Sequence, residues 1–209
     1  MALKNITVHK GDLPNLDVYQ KADYVAIDTE TMGLNLRRDR LCLVQLSPGG
    51  GKVDLVQIAA GQNSAPNLAK LLQDQKIGKI FHYARFDVAA LYHAFGAMTQ
   101  NIFCTKIASK LARTYTDRHG LKDLCAELLE LQISKQQQSS YWGAENLSEA
   151  QKIYAAGDVL YLHQLRDILA ERLEVLGRRQ LAQDCFDFLP ARVKLDLLGW
   201  EEQDIFAHS

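Results

Sequence analysis

Asp28 and Glu30 stand one residue apart in AIDTETMGL, where the apolar, β-rich run ADYVAID (22 to 28) ends. Residues two apart on a strand point to one face, so two carboxylates project together there. A third carboxylate, Asp87, follows the short apolar stretch in IFHYARFDVAAL at the start of a helical pattern, with His82 and Phe86 beside it. Taken alone, Asp87 also reads as a helix cap or as a carboxylate favoured by the helix dipole. Tyr154 and Asp158 are four apart in YAAGD. Ser148 and Gln151 form a capping-box pattern just upstream, which predicts a helix that puts both side chains on one face, about 6 Å apart along the axis. A lone Tyr154 would equally serve as a half-buried aromatic with a satisfied hydroxyl. Carboxylates with no Cys or His at ligand spacing suit a hard divalent cation, Mg²⁺ or Mn²⁺.

The elements around these residues follow from pattern. Apolar strand-like runs at 41 to 47 and 53 to 59 flank Pro48-Gly49-Gly50-Gly51, which predicts a hairpin and, with 22 to 28, a meander. A helix over 67 to 75, a strand over 78 to 84 and a helix over 86 to 96 come next, and beyond residue 105 the pattern is almost wholly helical. The order implies a mixed sheet with helices packed on it. The Gln- and Ser-rich stretch 134 to 147 lies between two helices and is a candidate active-site loop.

Composition sets bounds. A chain of 209 residues, 47% hydrophobic and 23% charged, can enclose a core, and its length favours one domain. The net charge of −1 provides no general basic field for nucleic acid. Cys42, Cys104, Cys125 and Cys185 have no zinc-type spacing and read as reduced thiols. Charged residues interrupt every apolar stretch and the N-terminus has no apolar segment of signal-peptide type, so no membrane association and a cytoplasmic location are expected.

The ordered set resembles the DEDD superfamily of 3′→5′ exonucleases in its tyrosine branch, and within it ribonuclease D. The resemblance runs from about residue 20 to about 175 and includes DTETMGL, FHYARFDVAAL, HGLKDLCAELL, the SKQQQSSYW loop and YAAGDVLYLHQL. The histidine branch carries its histidine where Ile153 stands, and proofreading domains of DNA polymerase I type usually have Asn where Tyr83 stands. The resemblance implies a ribonuclease H-like α/β fold with a mixed five-stranded sheet flanked by helices and a helical C-terminal part. It implies one exonuclease domain over 1–209, with residues from about 178 onward a helical extension. Full-length ribonuclease D carries further helical domains after the nuclease.

The same resemblance implies two divalent ions, Mg²⁺ or Mn²⁺. Asp28 would bridge both, Glu30 and Asp158 would complete one, and Asp87 would hold the other largely through water. Tyr154 would orient the attacking water, since a phenol is a poor base at neutral pH. Thr29, Leu34, His82, Phe86 and Tyr141 would contact the strand, Leu34 as an apolar wedge and Phe86 or Tyr141 by stacking. Arg37, Arg38, Arg40, Arg85 and Lys135 are candidates for phosphate contacts. The expected partner is a single-stranded RNA 3′ end, such as that of tRNA or another structured RNA. A DNA exonuclease and a non-catalytic nucleic-acid-binding scaffold are the competing readings. The segment from Arg192 to the C-terminus carries no motif with assignable chemistry.

Overall fold

The computed structural model describes residues 5–134 and 136–208. Its elements run β1 (Ile6–Lys10), β2 (Tyr24–Thr31), β3 (Leu41–Gly49), β4 (Lys52–Gln57), α1 (Pro66–Gln73), β5 (Gly78–Phe81), α2 (Ala84–Phe95), β6 (Ile102–Cys104), α3 (Thr105–Ala112), α4 (Leu121–Leu128), α5 (Glu149–Leu160), α6 (Leu162–Val175) and α7 (Arg179–Leu195). A π-helical turn over Asp196–Trp200 continues α7.

The sheet order is β1-β4-β3-β2-β5-β6. β2, β3 and β4 form the expected antiparallel meander, and β1, β5 and β6 add parallel pairings at its flanks. The sheet therefore has six strands rather than five. The turn after β3 needs left-handed backbone at three successive positions, φ 98°, 63° and 78°, which Gly49, Gly50 and Gly51 adopt without a Cβ clash. Val25, Ile27, Leu43, Leu46 and Leu55 are fully buried, so the central strands are covered on both faces. α2 packs on β2, β3 and β5, and α5 lies on β2, β3 and β4.

One long helical pattern after Ser148 resolves into two helices, because Tyr161 (φ −101°, ψ −5°) interrupts the run between α5 and α6. All four cysteines are free, as expected for reduced thiols. Among the described residues no helix is long and apolar enough to cross a membrane.

Candidate active site

β2 does not run out at Asp28. It continues to Thr31, with Asp28 opposite Gln45 and Glu30 opposite Leu43 on β3. Its other edge pairs with β5 only from Tyr24 to Ala26. Past that point the β2 edge is open, and the gap is where α2 begins and delivers Asp87. Thr29 closes the junction: its hydroxyl donates to Asp87 Oδ1 at 2.7 Å, and both side chains are buried.

α5 supplies the opposite wall. The capping box forms as the sequence predicts, with the Gln151 amide donating to Ser148 Oγ at 3.2 Å and the Ser148 amide donating to Gln151 Oε1 at 2.9 Å. Fixing that first turn sets the rotation of the helix, and Tyr154 and Asp158 both face the cavity. One carboxylate oxygen from each of Asp28, Glu30 and Asp158 lies within 4.8 Å of the others. Asp87 lines the same cavity beside this trio. The Gln45 side-chain amide donates to Asp28 Oδ2 at 3.3 Å from a fully buried position.

The cavity measures about 690 Å³. Thr29, Leu34, His82 and Phe86 all line it. Leu34 is 85% exposed, an apolar side chain held out at the rim. His82 Nδ1 sits 2.9 Å from Thr105 Oγ1. Tyr141 is not part of this lining; Trp142 is, buried with its ring centroid 6.0 Å from that of Tyr154. The basic residues proposed for phosphate fare differently. Arg85 is paired with Asp196, Arg37 with Glu201 and Arg38 with Asp39, and Arg40 donates to the Ile58 carbonyl. Lys135 lies outside the described residues.

Tyr83 and Lys106 are among the lining residues to which the sequence assigned no role. Tyr83 precedes α2 in left-handed backbone (φ 72°, ψ 46°), a conformation that costs a non-glycine residue of order 1–3 kcal/mol and recurs at functional sites. Lys106 places its ammonium 4.1 Å from the centre of the Tyr83 ring.

A family model described as a 3′-5′ exonuclease matches residues 15–174. The chain belongs to that family. Ribonuclease D of Gluconacetobacter diazotrophicus is 38% identical over 159 residues, covering 76% of this exonuclease and 40% of the relative. The chain thus spans about 40% of the length of the ribonuclease D proteins it matches. NrnC of Brucella melitensis bound to pGG superposes with a TM-score of 0.95 at 64% identity, covering 98% of this chain and 99% of that one. The same protein with bound Mg²⁺ gives 0.94 at 63% identity, covering 98% and 100%. Escherichia coli RNase D, at 23% identity, shares the ribonuclease H-like fold with a TM-score of 0.78 over 91% of this chain and 51% of its own.

The electrostatics of the exonuclease site fit cations. Burial pushes Asp28 up to about 7, and burial followed by the charges of Asp28, Asp158 and Asp87 pushes Glu30 up to about 10. Burial and then Asp28 hold Asp87 well above the usual carboxylate range. Anions this close oppose one another's ionisation, and divalent ions between them reverse that opposition. An all-oxygen donor set of this density suits Mg²⁺ or Mn²⁺.

A pH dependence follows. These acids bind protons more tightly folded than unfolded, so without metal the folded state loses stability as pH rises from near the ordinary values of 3.8 and 4.5 through about 7 for Asp28 and about 10 for Glu30. Calorimetry in a chelator should show Tm falling between about pH 5 and about pH 8, and millimolar Mg²⁺ should remove most of that slope. A metal-free Tm that rises over the same interval would contradict the assignment.

Proposed function

We propose that this exonuclease removes nucleotides from the 3′ ends of short RNA strands, down to dinucleotides, releasing nucleoside 5′-monophosphates with two Mg²⁺ or Mn²⁺ ions. The convergence of the Asp28, Glu30 and Asp158 oxygens beneath Tyr154 carries the catalytic part of this reading. The substrate class rests on the near full-length likeness to NrnC, whose structure holds pGG. A cavity of about 690 Å³ has the size of small-ligand sites, roughly 300–1,000 Å³, and suits a few nucleotides better than a folded RNA. Short RNA therefore replaces the structured RNA expected from sequence. Residues 5–208 act as one unit in this reading, α7 and the following turn included.

Asp28, Glu30 and Asp158 would hold the ion on the nucleophile side, and Asp87, braced by Thr29, would serve the other. Such a pair of ions supplies an activated water and stabilises the leaving oxygen of an in-line displacement. Tyr154 orients the water as a hydrogen-bonding phenol. Burial and then Asp158, Glu30 and Asp28 raise its pKa above the ordinary tyrosine value, which favours the protonated phenol. Leu34 wedges against the terminal bases while Phe86 supports one of them.

Matched RNA and DNA oligonucleotides of two to ten residues, with Mg²⁺ and with chelator, test this directly. RNA dinucleotides should give the highest kcat/KM, by about tenfold or more over longer RNA and over DNA, and chelator should stop release. Preference for DNA would leave the exonuclease site standing and overturn the RNA assignment. Metal-independent nucleotide binding without release would favour the scaffold reading.

A further inference from the structure

The segment without a motif in the sequence folds back on the substrate side of the molecule. Asp196, 7% exposed, accepts two hydrogen bonds from Arg85, from Nε at 2.5 Å and from Nη2 at 2.7 Å. Arg192 holds the same carboxylate from α7 through Nε at 2.8 Å and Nη2 at 2.5 Å. Arg85 also donates to the Glu201 carbonyl at 2.6 Å, and the Glu201 side chain pairs with Arg37 at 2.8 Å. Arg85 lies in the first turn of α2, next to Phe86, and Arg37 lies in the loop that carries Leu34.

A second cavity, about 610 Å³, lies behind that wall. Leu34, Tyr83 and Phe86 line both cavities, and Asp196, Leu197 and Glu201 line only the second. The wall against which terminal bases would lean is thus a thin partition. With open space behind it, its position depends on the anchors at its edge, and a bidentate guanidinium–carboxylate pair held by a second arginine fixes geometry more firmly than a single contact.

We propose that Asp196 is a positioning residue that, by clamping Arg85 to the end of α7, holds Phe86 and Leu34 at the spacing that grips the terminal bases of a short strand. The proposal rests on the substrate reading above, in which Leu34 and Phe86 touch the bases. It predicts a defect mainly in binding, because the carboxylate trio stands on β2 and α5 and Asp87, although on α2, is held from β2 by the Thr29 hydroxyl.

The test is kcat and KM on a 5′-phosphorylated RNA dinucleotide, with the Mg²⁺ concentration for half-maximal rate, for Asp196→Ala, Asp196→Glu and Arg85→Gln. Asp196→Ala should raise KM roughly tenfold, leave kcat within about twofold and leave the Mg²⁺ requirement unchanged. Asp196→Glu should recover most of the loss. Arg85→Gln, which keeps a polar side chain at a partly exposed helix position, should raise KM similarly, and the double variant should be no worse than the poorer single one. An unmoved KM in both Asp196→Ala and Arg85→Gln overturns the proposal, as does a fall in kcat with a changed Mg²⁺ requirement. If the wild-type enzyme cleaves only DNA dinucleotides, the RNA reading fails, and the same comparison on the DNA dinucleotide still decides the clamp.

Discussion

Asp28→Asn is expected to lower kcat by on the order of a thousandfold or more while raising the Tm of the metal-free protein by a few degrees. Asp28 is the most central of the acids. Its oxygen belongs to the convergent trio, its carboxylate receives the Gln45 amide, and its charge contributes to the raised pKa values of Glu30 and Asp87. Asparagine preserves shape and can still accept from Gln45, so packing is retained. What disappears is one anionic donor and the repulsion it exerts on its neighbours. Function and metal-free stability should therefore move in opposite directions, which a merely structural aspartate would not do. Single-turnover hydrolysis and calorimetry in chelator measure the two. Normal turnover, or a lowered Tm without metal, would refute the site.

The parts of the site that the sequence made legible are those encoded locally. Ser148 and Gln151 specify a helix start within four residues, so the rotation of α5, and with it the shared direction of Tyr154 and Asp158, could be read before any coordinates. The alternation that puts Asp28 and Glu30 on one face is likewise a property of a single strand. The missed strands are those whose existence depends on a neighbour. β6 is three residues long and β1 is a partly exposed edge, and each is a strand because β5 or β4 pairs with it. The end of β2 was misplaced for the same reason: its last residues are held by β3 after β5 has stopped.

Charge roles proved hardest to read. Arg85 and Arg37 were candidates for phosphate, and instead they bind acids from the C-terminal segment, Asp196 standing 111 residues from Arg85. No local pattern identifies such a partner, and Asp196 in VKLDLLG carries no signal of its own. The positive φ of Tyr83 is equally hidden, since nothing about a tyrosine announces left-handed backbone. Phe86 or Tyr141 was the stacking residue expected from sequence, and Trp142, the neighbour of Tyr141 in the same polar loop, was not. The structure puts Tyr141 on the outside, 66% exposed, and Trp142 against Tyr154.

Tyr154→Phe is expected to lower kcat by roughly ten- to a hundredfold, with KM and the Mg²⁺ requirement changed by no more than about twofold. Phenylalanine keeps the ring and its packing beside Trp142 and removes only the hydroxyl. Because burial, and then the surrounding carboxylates, raise that hydroxyl above the ordinary tyrosine value, the loss is not expected to be that of a base. The remaining role is geometric, a hydrogen bond that restricts where the attacking water sits. The shape of the pH–rate profile should consequently be the same in both enzymes, displaced downward by a constant factor. A profile that loses one of its limbs in Tyr154→Phe would mean that the phenol itself titrates during turnover. A weakened response to Mg²⁺ would instead make the tyrosine part of the metal-binding framework.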